Sequence, residues 1–200
     1  MINRHRALPA LVAVIAALPV LAAAQQTATP GAAQRPAAAA PVGLAADLLA
    51  DIGQVESKML GLARAIPLER YEWRPGTSAR SVGEVLRHVA ADNYFLPASL
   101  GHAADPTTGI KGDDFNTAVA FERRTLDRAQ TIALLERSFA NLKQALGAAT
   151  PAKLNERMTM FGQQFSGQQA WLLTTTHLHE HLGQLIAYAR SNNVVPPWSQ

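Results

Sequence analysis

The sequence predicts an all-α protein: a single four-helix bundle, preceded by a signal peptide and a disordered Ala/Pro linker. Three observations predict it. Four segments carry apolar residues at steps of three and four, the period of one helix face. Three of them open on an N-cap residue followed by Glu or Gln three positions on, the reciprocal pairing of a capping box. Little of the rest reads as strand.

The chain begins with Arg4, His5 and Arg6, then runs uncharged from Ala7 to Ala23 and reaches Ala22-Ala23-Ala24 before Gln25. A basic start, an apolar middle and a small-residue end describe a cleavable signal peptide over residues 1–24. The apolar run is ~17 residues, at the short limit for a membrane span, and Pro9 and Pro19 interrupt it. No Cys follows it, so a lipid anchor is excluded and no stable membrane anchor is expected. The protein is therefore expected to be periplasmic or secreted. Residues 25–41 are Ala, Pro, Gln and Thr apart from Gly31 and one charge, Arg35, a composition that cannot bury a core. The folded domain is expected over residues 42–200.

The whole chain is basic, with 18 Lys+Arg against 15 Asp+Glu. Loss of residues 1–24 removes Arg4 and Arg6 and leaves a net charge of +1, with no basic run. Nucleic acid is not expected as a partner. Cysteine is absent, so there are no disulfides, thiol ligands or thiol nucleophile.

The first helix carries Leu44, Leu48, Ile52, Val55, Met59, Leu62 and Ile66 and stops at Pro67. The second opens with the capping box Ser81–Glu84, buries Val82, Val85, Leu86 and Val89, and should end or kink at Pro97. The third opens at Asp127 with Gln130 three residues on. It carries Ile132, Leu135, Phe139, Leu142 and Leu146, and Gly147 and Pro151 end it. The fourth opens with Ser166–Gln169, buries Trp171, Leu178, Leu182, Leu185 and Ala189, and fades by Asn192. Residues 159–165 are the nearest candidate for a strand and read as a loop. The Gly- and Pro-containing connection over residues 100–125 is long enough to cover one end of the bundle. In such bundles, sites are built from side chains on facing helices.

The expected domain contains five histidines: 88, 102, 177, 179 and 181. On a helix, His177 and His181 differ by ~40° about the axis, whereas His179 is ~200° from His177 and faces away. An i, i+4 pair of imidazoles can grip one metal ion, and His88 from the second helix completes a facial set of three. Three protein ligands leave one coordination position free, the usual layout of a catalytic zinc site. Zinc and nickel both suit imidazole, with zinc the first expectation. Gln184 and Tyr188 share the azimuth of the pair, and Asp92 lies one turn beyond His88; these are the candidate outer-shell or substrate-facing groups. Glu84, one turn before His88, is explained by its capping role. Trp73 and Trp171 read as core. The pattern His179-Glu180-His181 is not H-E-x-x-H, and no E-x-x-H pair occurs in residues 42–200, which disfavours a di-iron carboxylate bundle.

The run from Trp73 to Ser81, followed by Val-Gly-Glu-Val-Leu-Arg-His88, resembles the start of the second helix in the DinB/YfiT-like superfamily. His177-x-x-x-His181-x-Gly-Gln184, continuing to Arg190 and the Pro196-Pro197 tail, resembles its last helix. The resemblance spans roughly residues 44–198. It implies a four-helix bundle, often a homodimer, with a divalent metal held by three His. By position these are His88, His177 and His181. Those members whose chemistry is understood are thiol-dependent transferases and isomerases, in which the metal activates a low-molecular-weight thiol. Export departs from that pattern.

The expected function is that of a metal-dependent enzyme, a hydrolase or a thiol-dependent transferase, acting on a small-molecule substrate or thiol. The rival is a non-catalytic periplasmic bundle that binds metal or a small ligand. It is favoured by the fact that spacing forces no carboxylate onto the pocket face.

Overall fold

The computed structural model describes residues 43–199. The expected signal peptide, residues 1–24, and linker, residues 25–41, lie outside the described residues. The chain forms α1 (Leu44–Ala65), α2 (Val82–Ser99), α3 (Phe115–Glu122), α4 (Arg128–Gly147), α5 (Pro151–Asn155), β1 (Arg157–Met160), β2 (Gln163–Ser166) and α6 (Gly167–Ser191). No described helix is long and apolar enough to cross a membrane.

The long helices α1, α2, α4 and α6 form the bundle. Their stripes meet in one core in which Ile52, Met59, Leu62, Leu86, Leu135, Phe139, Leu142, Leu178 and Leu185 are fully buried. Helix α1 packs against α4 and α6, and α2 packs against the same two. Consecutive helices α1 and α2 are thus diagonal partners, as are α4 and α6. Diagonal neighbours cannot be joined by a tight turn, which accounts for the long connections after α1 and α4.

All three expected capping boxes form. The side chains of Ser81, Asp127 and Ser166 accept the backbone N–H of Glu84, Gln130 and Gln169, whose side chains accept in return from the N-cap N–H. Each such cap stabilises its helix by ~1 kcal/mol and fixes where it begins. Pro97 lies inside the last turn of α2, which ends two residues later at Ser99.

Two expectations are corrected. Residues 159–165 are not a loop: β1 and β2 pair antiparallel with Met160 opposite Gln163, leaving Phe161-Gly162 as the turn. Both turn residues have positive φ, 52° and 73°, as a type I′ hairpin requires. That turn is usually Asn-Gly or Asp-Gly; a bulky Phe at the first position hid the signal. The connection over residues 100–125 is also not plain loop, since it contains α3, capped by Asp114 and packed on α2 through Ala118 and Phe121. The approach of the connection to α2 requires a glycine. A Cβ at Gly112 would lie 2.3 Å from the carbonyl of Ala98, and the Gly112 carbonyl accepts from Ser99 Oγ at 2.8 Å.

Candidate metal centre

Helix α2 is set by its capping box and by two backbone bonds to the preceding loop, Val82 N to Trp73 O and Gly83 N to Tyr71 O. This aims His88 inward, where it is 7% exposed. Helix α6 is set by Ser166–Gln169 and by Gly167, where a Cβ would lie 2.2 Å from the carbonyl oxygen of Lys153. Its His177 and His181 face α2. The rings meet edge to face, with centroids 4.5 Å apart for His177–His181, 4.6 Å for His88–His181 and 5.3 Å for His88–His177. One ring nitrogen from each lies within 4.8 Å of the others. Two imidazoles bound at ~2.1 Å to one zinc have nitrogens at most ~4.2 Å apart, within reach of a small side-chain rotation.

The hydrogen bonds assign the ring protons. Tyr188 Oη donates to the carbonyl of Arg80 at 3.1 Å, so it accepts from Gln184 Nε2 at 2.8 Å. The amide oxygen of Gln184 therefore faces His181, and Nδ1–H of His181 donates to it at 2.9 Å. This leaves Nε2 of His181 with a lone pair, the tautomer a metal needs. Nδ1 of His88 lies 3.0 Å from Oε2 of Glu122, a carboxylate that can only accept, so the proton of a neutral His88 sits on Nδ1 and its lone pair on Nε2.

A conflict follows at Asp92. Its Oδ2 accepts from His177 Nε2 at 2.8 Å, yet it also lies 3.3 Å from the lone pair on His88 Nε2. Two acceptors so close repel unless a proton or a cation lies between them. The donor set fits a divalent ion: three imidazoles converge, a carboxylate stands beside them, and partners that orient the His88 and His181 rings are in place.

Glu122 is the residue that sequence reasoning missed. It ends α3, and its other oxygen accepts from Arg80 Nε at 2.6 Å. Burial raises its pKa, but the hydrogen bonds and charges of His88 and Arg80 outweigh burial and hold the carboxyl at about 2. The His181 pKa is also lowered, which for a base favours the neutral form. Burial, with the neighbouring His177, His88 and Arg80, lowers it to about 4 despite the Gln184 bond, so it stays neutral and able to coordinate. Arg80 serves both sides, its guanidinium holding Glu122 and its carbonyl holding Tyr188.

The sequence model of the DinB superfamily matches residues 52–185. The chain belongs to the DinB superfamily. No curated protein sequence matches it. Two solved DinB-like structures from Bacillus subtilis are similar in fold. YjoA, a DinB-like protein, is 18% identical, with TM-score 0.58, over 77% of this chain and 97% of that one. YfiT is 16% identical, with TM-score 0.59, over 76% of this chain and 89% of that one. YfiT is described as a probable metal-dependent hydrolase with an unusual four-helix bundle topology.

Within this DinB fold, the other candidates sort as follows. Gln184 and Tyr188 form the chain behind His181, with Tyr188 packed edge-on against Trp73 at 5.2 Å. Asp92 touches two of the imidazoles. His179 faces away and bonds to Asp51 of α1 at 2.8 Å. Glu84 caps α2 and pairs with Arg74 at 3.2 Å. Trp171 is core. The expected shortage of carboxylates at the pocket is corrected, since Asp92 and Glu122 both reach the histidines. The cluster opens into a cavity of about 290 Å³ whose remaining walls are Phe95, Leu96, Phe115, Phe161 and Leu173.

Proposed function

We propose that the protein is an exported metal-dependent hydrolase in which His88, His177 and His181 hold one divalent ion, zinc before nickel. The observation that carries this reading is the convergence of the three histidines, one ring nitrogen from each lying within 4.8 Å of the others. Such an ion acts as a Lewis acid and lowers the pKa of a bound water or thiol.

The chain's own groups do the rest. Glu122 and Gln184 keep the protons of His88 and His181 on Nδ1, so that both Nε2 atoms point inward. Asp92, which lines both the imidazole cluster and the cavity, is the carboxylate placed to accept the proton of the nucleophile. Export is supported by the basic start, apolar run and Ala-Ala-Ala end of residues 4–24. The mass of the exported product should correspond to a chain beginning at Gln25.

The test begins with metal analysis and thermal unfolding near neutral pH. An ion at a hundredfold excess over its Kd adds about 2.7 kcal/mol to stability. His88→Ala, His177→Ala and His181→Ala should each abolish that gain. Asp92→Asn should keep zinc yet lose roughly 10²–10⁴-fold of zinc-dependent 4-nitrophenyl acetate hydrolysis. A zinc-loaded protein that gives no acceleration and holds its ion without an open position overturns the enzyme reading in favour of the binding bundle.

A further inference from the structure

The cavity beside the histidines is walled by apolar groups apart from the site itself. Its volume of about 290 Å³ is roughly twice the ~150 Å³ apolar cavity that accepts benzene. Two wall residues are unusual. Phe115 is 47% exposed and Phe161 58% exposed, although both are large and apolar. Their rings pack edge to face at 6.2 Å, and each stands against Phe95, at 5.3 Å for Phe115 and 6.3 Å for Phe161. Phe161 holds this position at φ 52°, a conformation that bulky side chains avoid and that Asn adopts readily. The turn does not need a Phe, but the cavity wall does.

The same three rings also line a second, larger cavity of about 710 Å³, with Ser99, Gly112 and Met160. Phe95, Phe115 and Phe161 therefore form a shared wall. The cavity beside the histidines, at about 290 Å³, holds a ring together with the group that links it to the metal, and the larger cavity shares the same three rings.

We propose that the substrate carries an aromatic or comparably compact apolar group, seated in the 290 Å³ cavity with its reacting end at the histidines, and that Phe161 limits its length. This rests on the metal-centre reading above. Covering a ring by apolar walls is favourable at ~25 cal/mol per Å², and the exposed faces of Phe115 and Phe161 gain cover in return.

The test uses cobalt-loaded protein and three hydroxamic acids that share a metal-binding head: acetohydroxamate, benzohydroxamate and 4-phenylbenzohydroxamate. The visible cobalt spectrum reports whether the head reaches the metal, and calorimetry gives Kd. In the native protein, benzohydroxamate should bind at least tenfold tighter than acetohydroxamate, and tighter than the biphenyl probe. Phe161→Asn keeps the hairpin, because Asn-Gly is a favoured type I′ pair. In that variant the order of the two aryl probes should reverse. Equal Kd values for acetohydroxamate and benzohydroxamate, with both altering the cobalt spectrum, would overturn the pocket proposal alone. An unchanged aryl preference in Phe161→Asn would overturn the role of Phe161. A protein that takes up no cobalt, or whose spectrum ignores every probe, would overturn the metal reading and the pocket proposal with it.

Discussion

Oε2 of Glu122 stands 3.0 Å from Nδ1 of His88, bridging 34 residues of sequence between α3 and α2. The carboxylate belongs to a helix outside the four-helix frame, and it fixes the proton on a histidine inside that frame. The short helix is thus part of the centre and more than a cover for the bundle end.

Glu122 should make the metal-free protein acid-sensitive in a defined window. Its folded pKa is about 2, against an ordinary value of 4.5 in the unfolded chain. Above pH 4.5 both folded and unfolded chains carry the carboxylate, and its stabilising bonds are fully present. Between 4.5 and about 2 the unfolded chain takes up the proton first, so stability falls as pH falls. Glu122→Gln should cost about 2 kcal/mol near neutral pH, with the difference from the native protein shrinking toward pH 2. Denaturant titrations across this range check it; a gap independent of pH would count against the His88–Glu122 bond.

The relay behind His181 predicts graded losses in metal affinity. Gln184→Ala removes the acceptor that holds the proton on Nδ1 and should weaken binding by about 10–100-fold. Tyr188→Phe leaves the amide in place but frees it to turn, so the loss should stay within about tenfold. Competition with a chelator of known affinity measures both. A Tyr188→Phe loss larger than that of Gln184→Ala would contradict the relay order.

His179 tests the register of α6. It sits between His177 and His181 in sequence but bonds to Asp51 on the outer face. His179→Ala should keep full metal content, whereas His177→Ala should lose it, as read by elemental analysis of dialysed protein. Equal loss in both variants would mean that the helix does not present one face to the ion.

Gly112 ties the connection to the end of α2. Gly112→Ala places a methyl 2.3 Å from the Ala98 backbone and should destabilise by about 1–3 kcal/mol. For a domain of this size that corresponds to about 2–4 °C of Tm per kcal/mol. Because the same connection leads into α3, the variant should also weaken the hold of Glu122 on His88 and lower metal affinity. A variant that melts like the native protein would remove the argument.

What could be read from sequence was local. The α1 stripe, the three capping boxes and the opposed azimuths of His177 and His179 each depend on residues within a few positions of one another. Asp92 could be named because it lies one turn from His88 on the same helix. Glu122 could not. Helix α3 has eight residues, too few to show a period, with only Asp114 and the buried pair Ala118 and Phe121 to mark it. The hairpin was missed because Phe161 occupies a turn position where Asn or Asp is the usual signal. In both cases tertiary packing settles what propensity leaves open.

The diagonal order of the helices also has a temporal side. Asp92 and its partner His177 are 85 residues apart, and α6 follows the other three bundle helices in chain order. A chain still being made, or one cut short before α6, holds His88 without its two counterparts and has no chelating trio to offer. Ion uptake would therefore report that α6 has been made and has docked against α2. A truncated product would be recognisable by its failure to retain metal, before any difference in its helix content.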